Sequence, residues 1–206
     1  MNMQMGHVAM ELDGFYKYYY ELLGDVYPQP EDDGHTRMAG EVINKWVSIL
    51  SPCKSVLDVG AGQGFCQPFF EQFGIHYTGI AMGKDVIEAK KLGRNVLQGD
   101  FHFLSHHADA SYDLIFSRHS LEHSPMPLIA LMEWYRLASN WLCLILPNPI
   151  HYGWVGKNHY SVLHPDQAKF LMERAGWRVI WEDNSEETEL RYMAEKKSTR
   201  FKEWDK

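Results

Sequence analysis

Cysteine is scarce in this chain: Cys53, Cys66 and Cys143 are the 3 in 206 residues, odd in number and widely spaced. That excludes a disulfide framework and suits reduced thiols, so a cytoplasmic setting is expected. Long apolar runs are missing too, and no window approaches the roughly 18 consecutive apolar residues that a membrane span needs. Residues 1–10 carry neither a basic leader nor a long apolar stretch, so no signal peptide is expected. Positive charge is in deficit, 20 Lys and Arg against 27 Asp and Glu for a net charge of -7, which removes long-range attraction to a phosphate backbone. Nucleic acid is therefore a disfavoured substrate, and the short basic tail over residues 195–202 reads as a solvated end. Repeats, low-complexity tracts and long linkers are absent, so one domain over residues 1–206 is expected. Hydrophobic content of 45% with 14% aromatics is ample for an α/β core.

What the chain does have is a glycine-rich turn behind an apolar run. Ser55 to Val59, interrupted only by Asp58, reads as a strand buried on both faces. Gly60, Gly62 and Gly64 then remove side chains at alternate positions, where a ligand can approach the backbone closely. Residues 65–73 are expected to form a helix directly behind the turn, its first N–H groups facing that ligand. A dinucleotide loop requires G-x-G-x-x-G, and here Phe65 stands where the third glycine belongs. Asp58-x-Gly60-x-Gly62-x-Gly64 instead resembles the first motif of the class I, Rossmann-like S-adenosylmethionine-dependent methyltransferases. The resemblance implies that Asp58, Gly60, Ala61, Gly62 and Gly64 hold the amino-acid end of S-adenosylmethionine, and that the demethylated product is S-adenosylhomocysteine.

The rest of the chain follows that family in order. Aromatic residues 15–23 form a helical candidate ending near Gly24, read either as a rim helix or as a lid over the cofactor cleft, within an N-terminal segment 1–34. Residues 38–50 have helical spacing, and residues 75–81 read as the second strand of a βαβ unit. In the family that strand ends in a carboxylate for the ribose hydroxyls, but this chain has Ala81. Asp85, in the loop just after, is the replacement by resemblance to the cyclopropane-synthase-like methyltransferases, and a helix N-cap before residues 86–92 explains it equally well. Gly99-Asp100-Phe101 resembles the adenine site, with Asp100 for the exocyclic amine and Phe101 beside the ring. Residues 112–117 read as a buried strand, and Ser117 and Arg118 at its exit are counted with the cofactor site. Leu121-Glu122-His123 resembles the "LEH" stretch of the group that includes the ubiquinone and menaquinone pathway enzymes, where it lies beside the transferred methyl. A helix over 128–137 and a fifth strand over 141–149 complete the core, 35–149. An acceptor-side segment, 150–206, follows, with a helix over 168–175 and strands over 177–182 and 189–195 pairing as an antiparallel hairpin. The fold implied is α/β: a seven-stranded, mostly parallel sheet with helices on both faces.

Methyl transfer from a sulfonium asks mainly for alignment and exclusion of water, and for a base only where the acceptor must lose a proton. His119 and His123 are the candidates for that base, with helix capping as the alternative for each. His159 and Tyr160, with Tyr152 and Trp154, are the candidates for an acceptor pocket, or else core packing. His102, His106, His107, His151, His159 and His164 sit on separate loops without cysteine partners at ligand spacing, so no metal is expected. The acceptor expected is a small molecule, its identity and the oligomeric state being outside what the sequence specifies. Two rivals stand beside this reading: a non-catalytic S-adenosylmethionine-binding scaffold, which Ala81 favours, and a nicotinamide-dependent reductase, which Phe65 and the missing acidic residue disfavour.

Overall fold

The computed structural model describes residues 2–24, 33–47, 53–152, 156, 158–185 and 187–197, with side chains from 13 onward except those of 33–35 and 152. Tyr152 as a side chain, Trp154, residues 48–50 and the basic tail beyond 197 lie outside what is described. Seven strands form one sheet: β1 (Ser55–Val59), β2 (His76–Ala81), β3 (Val96–Gln98), β4 (Tyr112–Arg118), β5 (Ala138–Pro147), β6 (Trp177–Asp183) and β7 (Glu189–Lys196). Their order is β3-β2-β1-β4-β5-β7-β6. The β1–β2, β1–β4, β2–β3 and β4–β5 pairs are parallel, and β7 runs antiparallel to both β5 and β6. The helices are α1 (Asn2–Gly24), α2 (Asp33–Val47), α3 (Gln67–Glu71), α4 (Lys84–Lys91), α5 (Pro127–Leu137), α6 (Pro149–Tyr152) and α7 (Pro165–Ala175). A 3₁₀ turn covers Leu121–His123.

The period-2 alternation of side chains along the strands divides the core. Leu57, Val59, Ile115, Leu142, Leu144, Leu190 and Tyr192 point to one face and bury Leu131 and Trp134 of α5 with Met172 of α7. Val56, Leu114, Phe116, Cys143, Ile145 and Met193 point to the other and bury Val42, Ile43 and Trp46 of α2 with Phe70 of α3. A strand covered on both faces is apolar at nearly every position, which is why β1 reads as an apolar run broken by Asp58 and β5 as one from Trp141 onward. Strand order reverses at β1, with β2 on one side and β4 on the other. In such sheets the crevice for a ligand opens there, at the carboxyl ends of the strands.

Several boundaries differ from the sequence expectation. Helix α3 has only five residues and begins at Gln67, two residues later than the turn alone suggests. Gly64 N–H donates to Ala61 O (2.9 Å) and Gln67 N–H to Gly64 O (3.1 Å), so donors expected to face a ligand are used within the turn itself. Asp85 is not an N-cap: Gly83, at φ 64°, occupies that position, and Asp85 lies in the first turn of α4. Strand β5 starts at Ala138, directly from the end of α5. Helix α7 starts at Pro165, where His164 N–H donates to Gln167 Oε1 (3.1 Å), and closes at Gly176, whose φ of 106° ends it in the left-handed region.

Candidate cofactor and acceptor site

A cavity of roughly 510 Å³ opens at the carboxyl ends of the parallel strands. Of the residues expected for the cofactor, Gly60, Gly62, Ala81, Asp85, Asp100 and Phe101 line it, and His119 and His123 line its far side. Asp58, Ala61, Gly64, Ser117 and Arg118 do not reach the wall. Sequence reasoning missed Ser120, Gln98, Lys84 and Met82, all of which do. Gln98 and Lys84 carried a usable signal in their place at the ends of β3 and β2, the same strand ends that flagged Asp85 and Asp100.

The glycine loop is held from beneath. Gly60 and Ala61 N–H both donate to Ile80 O (3.0 and 2.9 Å), fastening the loop to β2. Gly60, Gly62 and Gly64 have φ of 74°, 53° and 75°, a region that only glycine enters freely. A Cβ on Gly60 would sit 2.5 Å from Ser120 Cβ, and one on Gly64 would sit 2.8 Å from Val96 Cγ2. At Gly62 the nearest atom, Asp85 Oδ2, is 3.8 Å away, so that glycine faces open cavity. Asp58 is buried under the loop, taking the Tyr77 hydroxyl at 2.7 Å. Burial pushes its carboxyl up to about 7, against the Tyr77 and Cys66 hydrogen bonds and the Arg118 charge. Asp58 thus acts on the cavity through the loop it supports.

Asp85 Oδ1 accepts from Gln63 Nε2 at 3.4 Å, and burial raises its carboxyl. Asp100 is satisfied from within the chain. Its Oδ1 takes the His102 N–H (2.9 Å) and Nδ1 (2.6 Å), while Oδ2 takes the Tyr19 hydroxyl (2.9 Å). Burial alone would raise this carboxyl, but the His102 and Tyr19 bonds outweigh it and hold it below the usual range. Through Tyr19, Leu23 and Gly24, helix α1 reaches the cavity, Leu23 and Gly24 standing on its wall. His102 is buried and its Nε2 bonds Ser124 Oγ at 2.6 Å, which makes it part of this support.

The far side holds a charged network. Glu189, almost fully buried, accepts from Arg118 Nη2 (2.6 Å) and Nε (3.0 Å) and from Arg191 Nη2 (2.8 Å) and Nε (2.9 Å). Burial pushes its carboxyl up, yet the His119 bond, the Arg118 charge and the Arg191 bond win and hold it at about 2. His119 Nε2 lies 3.1 Å from Glu189 Oε1. An ionised carboxylate only accepts, so Nε2 carries the proton and Nδ1 is the basic nitrogen. His119 also has a φ of 51°, a strained conformation for a non-glycine residue at the cavity edge. Neither His119 nor His123 caps a helix: the caps around them are Ser120, Ser124 and Met126.

His123 donates Nδ1–H to Asn158 O at 3.1 Å, and burial pushes it down to about 4. His159, expected on a separate loop, stands edge-on to it with ring centroids 4.9 Å apart. Tyr160 turns elsewhere, its hydroxyl donating to Leu22 O (3.4 Å) of α1. Neither His159 nor Tyr160 lines the cavity.

Residues 57–140 match the family described as a methyltransferase domain. The structure is similar to a SAM-dependent methyltransferase from Archaeoglobus fulgidus (TM-score 0.65, 19% identity, 78% of this chain and 94% of that one). It is also similar to a SAM-dependent methyltransferase from Aquifex aeolicus (TM-score 0.62, 21% identity, 81% and 99%). A third similar structure is the magnesium protoporphyrin IX methyltransferase of Synechocystis with bound SAH (TM-score 0.62, 16% identity, 91% and 99%). No curated protein matches in sequence. Among the described residues no helix is long and apolar enough to cross a membrane. A seven-stranded sheet with one antiparallel strand inserted beside the edge and a glycine loop at its switch point give this chain the fold of those methyltransferase structures, and residues 57–140 within it match the methyltransferase domain.

Proposed function

We propose that the chain transfers a methyl group from S-adenosylmethionine to a small-molecule acceptor. The observation that carries this reading is the cavity itself: side-chain-free at Gly60 and Gly62, with Asp85 and Asp100 on its wall and two histidines across it. Such a cradle suits a nucleoside, since the position a Cβ would take on Gly62 meets no atom nearer than Asp85 Oδ2 at 3.8 Å. Asp85 would take the ribose hydroxyls in place of the carboxylate that Ala81 lacks, since an ionised carboxylate accepts two hydrogen bonds at once. Asp100 and Phe101 would receive the adenine, Asp100 through the lone pairs that Tyr19 and His102 leave over. Asp58, Ala61 and Gly64 hold the loop in shape, and Ser117 and Arg118 anchor the strand end that carries His119.

The sulfonium supplies an activated methyl, so these residues need only orient the acceptor and exclude water, which in favourable cases is worth about 7–11 kcal/mol. Where the acceptor carries a proton, His119 Nδ1 takes it, with the ring oriented by Glu189. His123, pushed down to about 4, is the weaker base and serves the acceptor by position. Helix α1 covers the cleft as a lid, since Leu23 and Gly24 are on the cavity wall.

Calorimetry with S-adenosylmethionine, S-adenosylhomocysteine and NADH tests the reading. S-adenosylhomocysteine is expected to bind, and Asp85→Ala is expected to weaken it by about 10-fold or more, the loss of hydrogen bonds to a charged acceptor. NADH binding alone would overturn the assignment in favour of a reductase. Cofactor binding without turnover over a broad acceptor panel would favour the scaffold, which Ala81 supports.

A further inference from the structure

Glu122, His123 and His159 present ligating atoms that all lie within 4.8 Å of one another. Glu122 is 1% exposed, and its Oε2 has no hydrogen-bond partner among the described residues. The residue's own backbone N–H bonds the carboxylate, and Oε1 stands 3.8 Å from His119 Nδ1 and 3.9 Å from His123 Nε2. Arg118, the guanidinium close by, is committed to Glu189. A buried carboxyl with an empty oxygen is costly unless a cation or a donor meets it.

The histidines are set for the same cation. Because His123 donates Nδ1–H to the Asn158 carbonyl, its lone pair is on Nε2, the nitrogen turned toward Glu122. A backbone carbonyl holding the remote ring N–H is the usual support of a metal-bound imidazole. His159 supplies the second imidazole from 36 residues further on.

We propose that Glu122, His123 and His159 form a binding site for a divalent first-row transition ion, zinc in the first instance. Two imidazoles and one carboxylate are the donor set of sites that keep one position open, and imidazole selects zinc over magnesium or calcium. Zinc bonds of roughly 2.0–2.2 Å put tetrahedral ligands about 3.3 Å apart, so the 3.9 Å between His123 Nε2 and Glu122 Oε1 closes by small side-chain rotations. Of the three ligands His123 stands on the cavity wall, the side from which the site's open position would be reached. If the methyl-transfer reading above holds, that position takes the acceptor's own oxygen, sulfur or nitrogen, and the acceptor belongs to the class of metal-ligating small molecules.

The test uses the full chain, stripped with a chelator and titrated calorimetrically with zinc, and separately with Co²⁺ followed by its visible d–d absorption. One equivalent is expected to bind, with the strong absorption of a tetrahedral cobalt site. Loss of an outer-shell partner already costs a metal site about 10–100-fold in affinity. Glu122→Gln and His159→Ala, which remove ligands, are therefore each expected to cost at least as much, while His106→Ala, at an exposed histidine, changes nothing. Should Glu122→Gln fail to fold, His159→Ala decides alone. No stoichiometric binding, binding that survives His159→Ala, or an octahedral cobalt spectrum would overturn the site. S-adenosylhomocysteine titrated into the same samples reports separately: its failure to bind would sink the methyl-transfer reading and leave the ion site standing.

Discussion

Replacing Gly60 by alanine puts two separable costs on one atom. The first is backbone strain, since a φ of 74° lies in the left-handed region, where a side chain costs roughly 1–2 kcal/mol. The second is collision, because the new Cβ would stand 2.5 Å from Ser120 Cβ as well as against its hydroxyl. Rotating Ser120 moves the hydroxyl but not the Cβ, so the loop or the β4 exit must shift, at an overpacking cost of about 1–3 kcal/mol. Gly60→Ala should therefore lose about 2–5 kcal/mol in total and also weaken S-adenosylhomocysteine, because the displaced atoms line the cavity. Ser120→Gly removes the collision but not the strain. By itself it loses the Ser120 hydroxyl bond to Arg118 O (3.1 Å), worth about 0.5–1.5 kcal/mol. In a double-mutant cycle the pair should recover about 1–3 kcal/mol relative to additivity, whereas Ser120→Ala, which keeps the Cβ, should recover little. Urea denaturation of the variants, with S-adenosylhomocysteine calorimetry on those that fold, measures both. Strict additivity of Gly60→Ala and Ser120→Gly would refute the close-approach argument.

Glu189, held at about 2 against an ordinary 4.5, is a group with a depressed folded-state pKa. Its stabilisation is complete above about pH 4.5 and is lost as pH falls toward about 2, an effect of about 3 kcal/mol. Glu189→Gln should flatten that limb of the acid-denaturation curve, and an unchanged slope would contradict the network. Tyr19→Phe removes a hydroxyl from the Asp100 carboxylate at 2.9 Å and should increase hydrogen exchange in α1, the bond being worth about 1.5–3 kcal/mol. S-adenosylhomocysteine should bind this variant at least as tightly, because Asp100 Oδ2 loses a competitor; a 10-fold weakening would show that Tyr19 helps hold the nucleoside. Trp134→Ala, at a fully buried position whose Nε1–H also donates to Phe101 O (3.1 Å), should cost about 3–5 kcal/mol in denaturant and loosen the Phe101 wall.

The local patterns of this chain gave most of its strands, and the resemblance they carried implied how the strands join in one sheet. The runs at residues 55–59 and 112–117 read as strands covered on both faces, and the turn at Gly60, Gly62 and Gly64 could be placed behind the first of them, because alternation and glycine spacing are properties of neighbours in sequence. Gly99-Asp100 was singled out by resemblance, and the structure puts both residues on the cavity wall. The short reach of α3 was not, since it depends on which loop carbonyls the N–H groups of Gly64 and Gln67 find. Nor was the fate of Asp100, whose second oxygen is taken by Tyr19 from 81 residues away. His159 looked isolated because the loop before α7 carries no periodic signal, and only the return of that loop across the end of β4 sets its ring beside His123 and Glu122. Strand identity follows from contacts between adjacent residues, whereas convergence of side chains depends on how the closed sheet brings distant loops to one edge. The sequence by itself therefore determined most of the strands and the glycine turn, and the tertiary structure decided which charged groups meet above them.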